Sequence, residues 1–289
     1  MNAIACRSRA DFDAYFRSPT FLTRWQLERL LAVTHQARKT FTVAGVCAPC
    51  SAAVHFTCDF SYAWTSPDGL LVPNWREALR CPQCRLNGRE RLVTSLLEDV
   101  LRARSGDPRF GVYMMEAVSP VFQRLRTAFP TAAVVGSEFL GPERSPGSVV
   151  DGIRHEDAER LSFPDAAFDL VVSCDVYEHV NEPVRAFGEL RRVLKPGGRA
   201  LLTFPMDPNL DENRRRAELD DGQVRLLAPA IYHGNPLSSD GALVFTDFGW
   251  HVLDDLRAAG LHDPTLNVYW SYELGYLGMQ FYFEATNAG

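Results

Sequence analysis

Four cysteines in the first third of the chain have the spacing of a metal site. They form two Cys-x-x-Cys pairs, Cys47 with Cys50 and Cys81 with Cys84, with thirty residues between the pairs. The two thiolates of one pair lie in a single tight turn, so two pairs can supply the four corners of a zinc tetrahedron. Disulfides are the alternative, but they are disfavoured in a cytoplasmic chain. We therefore predict a structural zinc site, which closes all four positions and takes no part in catalysis.

The segment between the two cysteine pairs alternates apolar and polar residues as a strand does. We expect residues 53–64 to form this strand and to pair in a hairpin with residues 69–73. Cys58 lies inside the strand and is predicted to be a packed thiol. His55 could replace one zinc ligand, although a single histidine on a strand is more commonly an ordinary surface or core residue.

Histidine and tyrosine side chains in the second half could act on a substrate. Tyr232 and His233 lie in Tyr-His-Gly-Asn-Pro, and because imidazole titrates near neutrality they could activate a hydroxyl or an amine. The same residues could instead form a tight turn. Tyr177 and His179 follow a short apolar run and are further candidates for a catalytic base. We expect His251, in a later helix, to be structural.

The apolar run and the residues after it form one strand–helix–strand unit. Residues 168–173 are rich in β-branched side chains, as in a strand that is buried on both faces. A helix then begins, with Asn181 as its N-terminal cap and Pro183 in its first turn. Residues 196–198, Pro-Gly-Gly, end the helix, and residues 199–204 form the next buried strand. The two strands must be parallel, with a right-handed crossover.

This unit carries a family resemblance. The unit resembles the fourth strand, the following helix and the fifth strand of class I S-adenosylmethionine-dependent methyltransferases of the type 11 kind. The segments that carry the resemblance are Phe-Asp-Leu-Val-Val-Ser, Asp-Val-Tyr-Glu-His-Val and Arg-Val-Leu-Lys-Pro-Gly-Gly-Arg. The resemblance runs from about Gly111 to the C-terminus. It implies an α/β, Rossmann-like, seven-stranded domain that binds S-adenosylmethionine and transfers its methyl group in line to an acceptor.

The resemblance also implies where the cofactor binds. Glu116 ends the first strand and matches the acid that orders the methionine ammonium group, while Glu138, at the tip of strand two, matches the ribose ligand. Asp157, after a third strand over residues 149–157, matches the acceptor from the adenine amine, with Glu156 as the alternative. The predicted cofactor-binding residues are Glu116, Ala117, Ser137, Glu138, Asp157, Ala158, Ser173 and Asp175.

One part of the family pattern is missing. The first strand is usually followed by a glycine-rich loop that lets the backbone approach the cofactor. This chain has Ala-Val-Ser-Pro at residues 117–120, without a Gly-x-Gly. S-adenosylmethionine carries no phosphate, so the site depends on shape more than on a phosphate-binding nest.

The patterns divide the chain into four parts. We expect N-terminal helices over residues 1–40, interrupted at Ser18-Pro19. The zinc module follows over residues 41–90, with a ribbon-like fold, and a connecting helix over residues 91–109. The methyltransferase-like domain takes residues 110–289, with an insertion at about 206–246 that caps the substrate.

Charge is distributed unevenly along the chain. Residues 1–110 carry 15 Lys and Arg against 10 Asp and Glu, a net +5, whereas residues 111–289 carry 15 against 26, a net −11. An acidic catalytic half disfavours a nucleic acid substrate, because phosphate contacts dominate such binding. No apolar run has membrane-spanning length and no signal peptide precedes the first charges, so we expect a cytoplasmic protein without membrane contact.

These observations favour a methyltransferase that acts on a small molecule, such as a sugar or a secondary metabolite. Two alternatives stay open at the level of sequence. One is an RNA methyltransferase that uses the zinc module to hold RNA. The other is a methyltransferase-fold protein that serves as a scaffold or uses S-adenosylmethionine for other chemistry.

Overall fold

A computed structural model describes residues 3–104 and 107–289. Residues 105 and 106, which belong to the predicted connection over 91–109, lie outside the described residues. The chain divides into two compact units. Unit 1 comprises residues 1–6, 10–105 and 267–281, and unit 2 comprises residues 7–9, 106–266 and 282–289.

The elements before residue 105 are mostly helical, with short strands around the cysteine pairs. In chain order they are β1 (Ile4–Cys6), α1 (Arg9–Phe16), α2 (Pro19–His35), β2 (Thr40–Cys47), β3 (Ala52–Asp59), β4 (Trp64–Thr65), β5 (Leu71–Val72), α3 (Trp75–Ala78) and α4 (Gly88–Ala103).

The elements after residue 106 alternate strand and helix and then become mainly β. They are β6 (Gly111–Met114), α5 (Pro120–Ala128), β7 (Ala133–Gly136), β8 (Val149–Val150), β9 (Ile153–Arg154), β10 (Phe168–Cys174), a 3-10 turn (Tyr177–His179), α6 (Pro183–Val193), β11 (Leu194–Thr203), β12 (Arg214–Arg215), β13 (Ala217–Asp220), β14 (Gln223–Leu226), β15 (Tyr232–Asn235), β16 (Ser238–Leu243), β17 (Thr246–Asp247), α7 (Val252–Ala258), β18 (His262–Ser271) and β19 (Tyr276–Thr286).

The N-terminal helices break where the sequence predicts. Ser18 caps α2, its hydroxyl accepting from the backbone N–H of Phe21 at 3.2 Å, and Pro19 takes the first helical position, where no N–H is needed. The prediction that residues 1–40 are all helical is wrong at β1. Three residues are too short a segment for periodicity to identify as a strand.

The predicted hairpin of the cysteine-rich module is also wrong in its pairing. β3 pairs with β2, antiparallel, from Thr40 opposite Asp59 to Cys47 opposite Ala52. Of the predicted strand only its last residue, Trp64, pairs with β5, opposite Val72, and Thr65 follows opposite Leu71. Alternation identified the strand but not its partner, since β2 and β5 both offer a compatible apolar face. Cys58 is buried, as predicted, and His55 is exposed.

A seven-stranded mixed sheet confirms the predicted fold class. Its order is β1-β18-β19-β11-β10-β6-β7. The strands β11, β10, β6 and β7 are parallel to one another, whereas β19 is antiparallel to β11. Val171 and Val172 of β10 are fully buried, which explains the continuous apolar run in the central strand.

The sheet differs from the prediction at one edge. Residues 149–157 do not form a third parallel strand. β8 and β9 form a short antiparallel hairpin, and the segment touches the sheet edge through a single parallel bridge between Glu138 and His155. Gly152 and Asp151 turn the chain with positive φ values of 81° and 51°, which interrupts the strand.

The helix of the central unit begins one residue later than predicted. Glu182 is its cap and makes no side-chain capping bond. The predicted cap, Asn181, instead accepts from Arg215 and from the backbone N–H of Leu219. The insertion at 206–246 is therefore held partly through this asparagine, a use that capping statistics do not reveal. No helix within residues 3–104 and 107–289 is long and apolar enough to cross a membrane.

Candidate functional site

The parallel strands of unit 2 bring three predicted cofactor segments to one sheet edge. Met114 of β6 lies opposite Gly136 of β7 and Val172 of β10. The residues that follow these three positions therefore leave the sheet at the same carboxyl edge, where ligands bind in open α/β sheets. The predicted cofactor-binding residues at this edge are Glu116, Ser137, Glu138, Ser173 and Asp175.

Glu138 holds the loop that replaces the glycine-rich turn. Its Oε1 accepts from the backbone N–H groups of Ala117 at 2.6 Å and Val118 at 2.9 Å. A carboxylate that accepts two backbone donors is a strong and oriented contact. The loop after the first strand is therefore fixed by this side chain, without the glycines of the family pattern.

Close approach at this loop depends on Gly136, which the sequence analysis did not single out. A Cβ at this position would come within 2.5 Å of the Phe122 ring and 2.7 Å of the Glu116 carbonyl oxygen. Glycine thus lets the chain after β6 pass directly over β7. A lone glycine at a strand end is a weak signal, so only the structure identifies it.

Asp157 follows the segment that runs beside Glu138, and the side chain of its neighbour Glu156 is engaged in other hydrogen bonds. The backbone N–H of Glu138 donates to the Arg154 carbonyl oxygen, and the backbone N–H of Glu156 donates to the Glu138 carbonyl oxygen. Residues 154–157 therefore run along this edge of the sheet. Asp157 Oδ1 accepts from the Glu159 backbone at 2.9 Å. Glu156 is buried and its two oxygens bond to Arg154 and Ser162, a network that fixes the segment.

The serines at the strand ends differ in environment. Ser137 is buried, and its hydroxyl bonds to the Tyr113 hydroxyl at 2.7 Å. Ser173 is fully buried, and its Oγ has no hydrogen-bond partner among the described residues. Asp175 adopts a positive φ of 55° and accepts from Thr203 Oγ1 at 2.9 Å, so its carboxylate is held at the end of β10.

Glu178, His179 and His233 converge close to Asp175. Glu178 Oε1 lies 3.3 Å from Nδ1 of His233 and 3.5 Å from Nε2 of His179. The hydrogen bond to Glu178 and the nearby charge of Asp175 raise the pKa of His233, against the opposing effect of burial. The residue types indicate both histidines as candidates but not Glu178, because nothing in one sequence shows that this glutamate is buried.

Tyr177, the third predicted catalytic residue, lies in the hydrophobic core. It is fully buried, and its ring stacks on Phe187 with centroids 4.6 Å apart. Burial raises the pKa of its hydroxyl well above the usual value. This environment favours a packing role for Tyr177.

The four cysteines of unit 1 form a compact cluster. Cys47 Sγ lies 3.8 Å from Cys84 Sγ, Cys50 Sγ lies 4.0 Å from Cys81 Sγ, and all four sulfurs are within 4.8 Å of one another. Zn–S bonds of about 2.3 Å in a tetrahedron put sulfurs about 3.8 Å apart. The four thiols are free, and their spacing fits a zinc ion.

The central part of unit 2 matches a family of known domains. Residues 125–202 match the model of a methyltransferase domain. The demethylmenaquinone methyltransferase of Thermus thermophilus is 36% identical over 92 residues, which are 29% of this chain and 42% of that protein. The sterol 24-C-methyltransferase of Neurospora crassa is 31% identical over 120 residues, 39% of this chain and 30% of that protein. The chain thus spans less than half the length of these curated relatives.

Solved structures of methyltransferases also align with the chain. A S-adenosylmethionine-dependent methyltransferase from Mesorhizobium loti aligns at a TM-score of 0.37 and 17% identity, over 65% of this chain and 96% of that one. The 1,6-didemethyltoxoflavin-N1-methyltransferase of Burkholderia thailandensis aligns at 0.37 and 14% identity, over 70% and 79%.

Proposed function

We propose that this chain, a member of the class I S-adenosylmethionine-dependent methyltransferases, transfers the cofactor's methyl group to a small-molecule acceptor. The observation that carries the proposal is the convergence of acidic residues at one sheet edge, where Glu138, Asp157 and Asp175 lie within the residues 125–202 that match the methyltransferase domain. The sulfonium methyl is already electrophilic, so the protein mainly aligns an acceptor atom in line with carbon and sulfur.

Each carboxylate has a proposed partner on the cofactor. Glu116 would hold the methionine ammonium, Glu138 the ribose hydroxyls and Asp157 the adenine amine, with Ala117, Ser137, Ala158, Ser173 and Asp175 lining the site. Glu138 uses Oε1 for the loop, which fixes the orientation in which its Oε2 can meet the ribose. Ser173 is buried, and its hydroxyl has no partner among the described residues. Buried hydroxyls are normally hydrogen-bonded, which supports a polar group of the cofactor next to Ser173.

A small acceptor is supported by the relatives and by the charge of the chain. The named relatives are methyltransferases of demethylmenaquinone and of a sterol. The net −11 of residues 111–289 opposes a phosphate-rich polymer. We propose that the insertion at 206–246 forms the acceptor wall and that His233 and His179 activate the acceptor. Tyr177 is the weakest of the three predicted catalytic residues because it is buried in the core.

We also propose that Cys47, Cys50, Cys81 and Cys84 hold a structural zinc ion. The sulfur spacing supports it, and thiolate is a ligand that zinc prefers. Such a site would stabilise unit 1 and leave no open position for a substrate. The cytoplasmic location stays a prediction of the sequence.

Calorimetry with S-adenosylmethionine and S-adenosylhomocysteine on the full chain tests the proposed function. We expect both to bind, and Asp157→Ala to weaken binding about 10- to 100-fold, the value of one or two hydrogen bonds to a charged group. Asp254→Ala, which removes an exposed carboxylate of α7, serves as the matched control. Unchanged affinity in Asp157→Ala would contradict the adenine assignment, and a wild-type chain that binds neither compound would favour the scaffold alternative.

A further inference from the structure

The cluster of Glu178, His179 and His233 has the composition and spacing of a cation site. One ligand atom from each residue lies within 4.8 Å of the others. Metal bonds of about 2.0–2.1 Å put neighbouring ligands about 3.0 Å apart in an octahedron and about 3.4 Å apart in a tetrahedron. The carboxylate oxygen lies 3.3 and 3.5 Å from the two imidazole nitrogens. These distances fit three ligands on one side of an ion.

The hydrogen bond of His179 decides which of its nitrogens can bind an ion. Its Nδ1 lies 2.8 Å from the Leu243 carbonyl oxygen, and a carbonyl can only accept, so Nδ1 carries the proton. In neutral imidazole Nε2 then presents a lone pair towards the Glu178 carboxylate. Two acceptors that face each other at 3.5 Å repel, and either a proton on Nε2 or a bound metal ion between them removes the repulsion. A backbone carbonyl behind a ligating histidine is also the usual support of a metal ligand.

Glu178 provides a second, independent indication. Its side chain is 1% exposed, and Oε2 has no hydrogen-bond partner among the described residues. Leaving one oxygen of a buried carboxylate without a partner is costly, and a bound cation is one way to compensate it. Asp175 and Asp247 also face His233 with negative charge, although Asp247 is paired with Arg214 and Arg216. The surroundings therefore favour a cation.

The fold supplies the three ligands from two elements. Glu178 and His179 lie in the 3-10 turn that follows β10. His233 lies in β15, and β16 of the same hairpin supplies the Leu243 carbonyl, with Tyr232 opposite Leu243. The Phe245 backbone N–H donates to the Glu178 carbonyl at 2.7 Å, which ties the end of the hairpin to the turn.

We infer that Glu178, His179 and His233 bind a divalent transition-metal ion that coordinates the acceptor. Two imidazoles and one carboxylate suit ions such as Mn²⁺, Fe²⁺ and Co²⁺, and three protein ligands leave positions open. This role rests on the proposed function. The acceptor class is a hydroxyl compound with a second oxygen beside the first, as in a diol or catechol, which can chelate the ion.

The ion activates the hydroxyl by lowering its pKa. The hydroxyl proton passes to water, and the oxygen attacks the methyl carbon. A C–O bond forms as the C–S bond breaks, and the electron pair of that bond stays on sulfur. The products are a methyl ether, S-adenosylhomocysteine and one proton.

A titration of the full, zinc-loaded chain with Mn²⁺ tests the inference. The electron paramagnetic resonance signal of free Mn²⁺ reports how much of the ion is bound. We expect one Mn²⁺ site per chain in addition to the zinc. His233→Ala removes a half-exposed ligand and should weaken Mn²⁺ binding at least about 10-fold. Glu178→Gln keeps the shape of the buried side chain and should do the same. The matched control, His251→Ala, changes a histidine that contacts Glu212 and Asp255 outside the cluster, and should leave Mn²⁺ binding unchanged.

The outcomes separate this inference from the proposed function. A chain that binds S-adenosylhomocysteine but no Mn²⁺ overturns the cation site and leaves the methyltransferase proposal intact. Mn²⁺ binding that survives both His233→Ala and Glu178→Gln also overturns it. Mn²⁺ binding without cofactor binding would support the site and contradict the proposed function.

Discussion

The two clusters of proposed ligand side chains in this protein differ in how completely they would enclose a metal ion. In unit 1, the four sulfurs of Cys47, Cys50, Cys81 and Cys84 lie within 4.8 Å of one another, and Cys47 and Cys81 are buried. In unit 2, the proposed site has three protein ligands, and the His233 side chain is 34% exposed. A closed thiolate site stabilises a fold, whereas an open imidazole and carboxylate site can receive a substrate.

The surroundings of the two clusters differ in the same way. Each cysteine pair lies in a turn next to packed strands, and the cluster belongs to the core of unit 1 together with Phe41, Phe56 and Trp75. His233 lies on a hairpin of the insertion whose strand residues are exposed or partly exposed, and none of them is buried. Removing a ligand should therefore cost stability in the first case and function in the second.

Cys81→Ser should have the largest effect, because the free energy of zinc binding in a structural site is also folding free energy, about 10 kcal/mol or more. We expect the zinc content to fall from about one per chain to near zero and unit 1 to lose its cooperative unfolding. Metal analysis and tryptophan fluorescence measure the two effects. Cys58→Ala, a buried thiol outside the cluster, is the control and should keep its zinc. Full zinc content in Cys81→Ser would contradict the closed site.

A buried carboxyl group in unit 1 should make the free energy of unfolding depend on pH. The expected effect is smaller than that of Cys81→Ser. Burial raises the pKa of Glu28 to about 7, although Trp270 Nε1 and the Gly278 backbone N–H donate to it. The folded chain thus holds a proton that the unfolded chain has lost between pH 4.5 and about 7. The free energy of unfolding should therefore fall by about 1–3 kcal/mol as the pH rises through this window.

Denaturant titrations at pH 5 and pH 7 measure this slope. Glu28→Gln should flatten it, because the amide does not titrate. Glu273→Gln, at an exposed carboxylate of the same unit, should retain it. An equal slope in wild type and Glu28→Gln would show that Glu28 is not the titrating group.

The smallest stability effect is expected for His233→Ala. A half-exposed side chain on a surface hairpin contributes little to folding, so the free energy of unfolding should change by less than about 1 kcal/mol. Chemical denaturation followed by circular dichroism checks this value against wild type and His251→Ala. A loss of several kcal/mol would mean that the cluster of unit 2 is structural, and the comparison between the two sites would fail.

Local sequence signals were sufficient for several parts of this protein. The cysteine spacing, the Ser18-Pro19 break and the strand–helix–strand order around Phe168–Thr203 follow from rules that act within a few residues. The helix of that unit ends at Val193, however, and residues 196–198 lie inside β11 instead of ending the helix. The connecting helix predicted over residues 91–109 is α4, which spans Gly88–Ala103 and begins with a capping box of Asn87 and Glu90. The pattern indicates parallel strands with a crossover, and the fold class follows from the family resemblance that this unit carries.

Only the tertiary structure determined the pairings and the sites that join distant segments. It paired β3 with β2, replaced the third parallel strand by a hairpin and added β1 to the sheet. It also buried Glu178 beside His233, 55 residues later in the chain, and assigned Glu138 to the loop after β6. The physical reason is that strand partners and buried polar contacts depend on the packing of distant segments. Composition and periodicity show which face a residue prefers, but not which residue lies opposite.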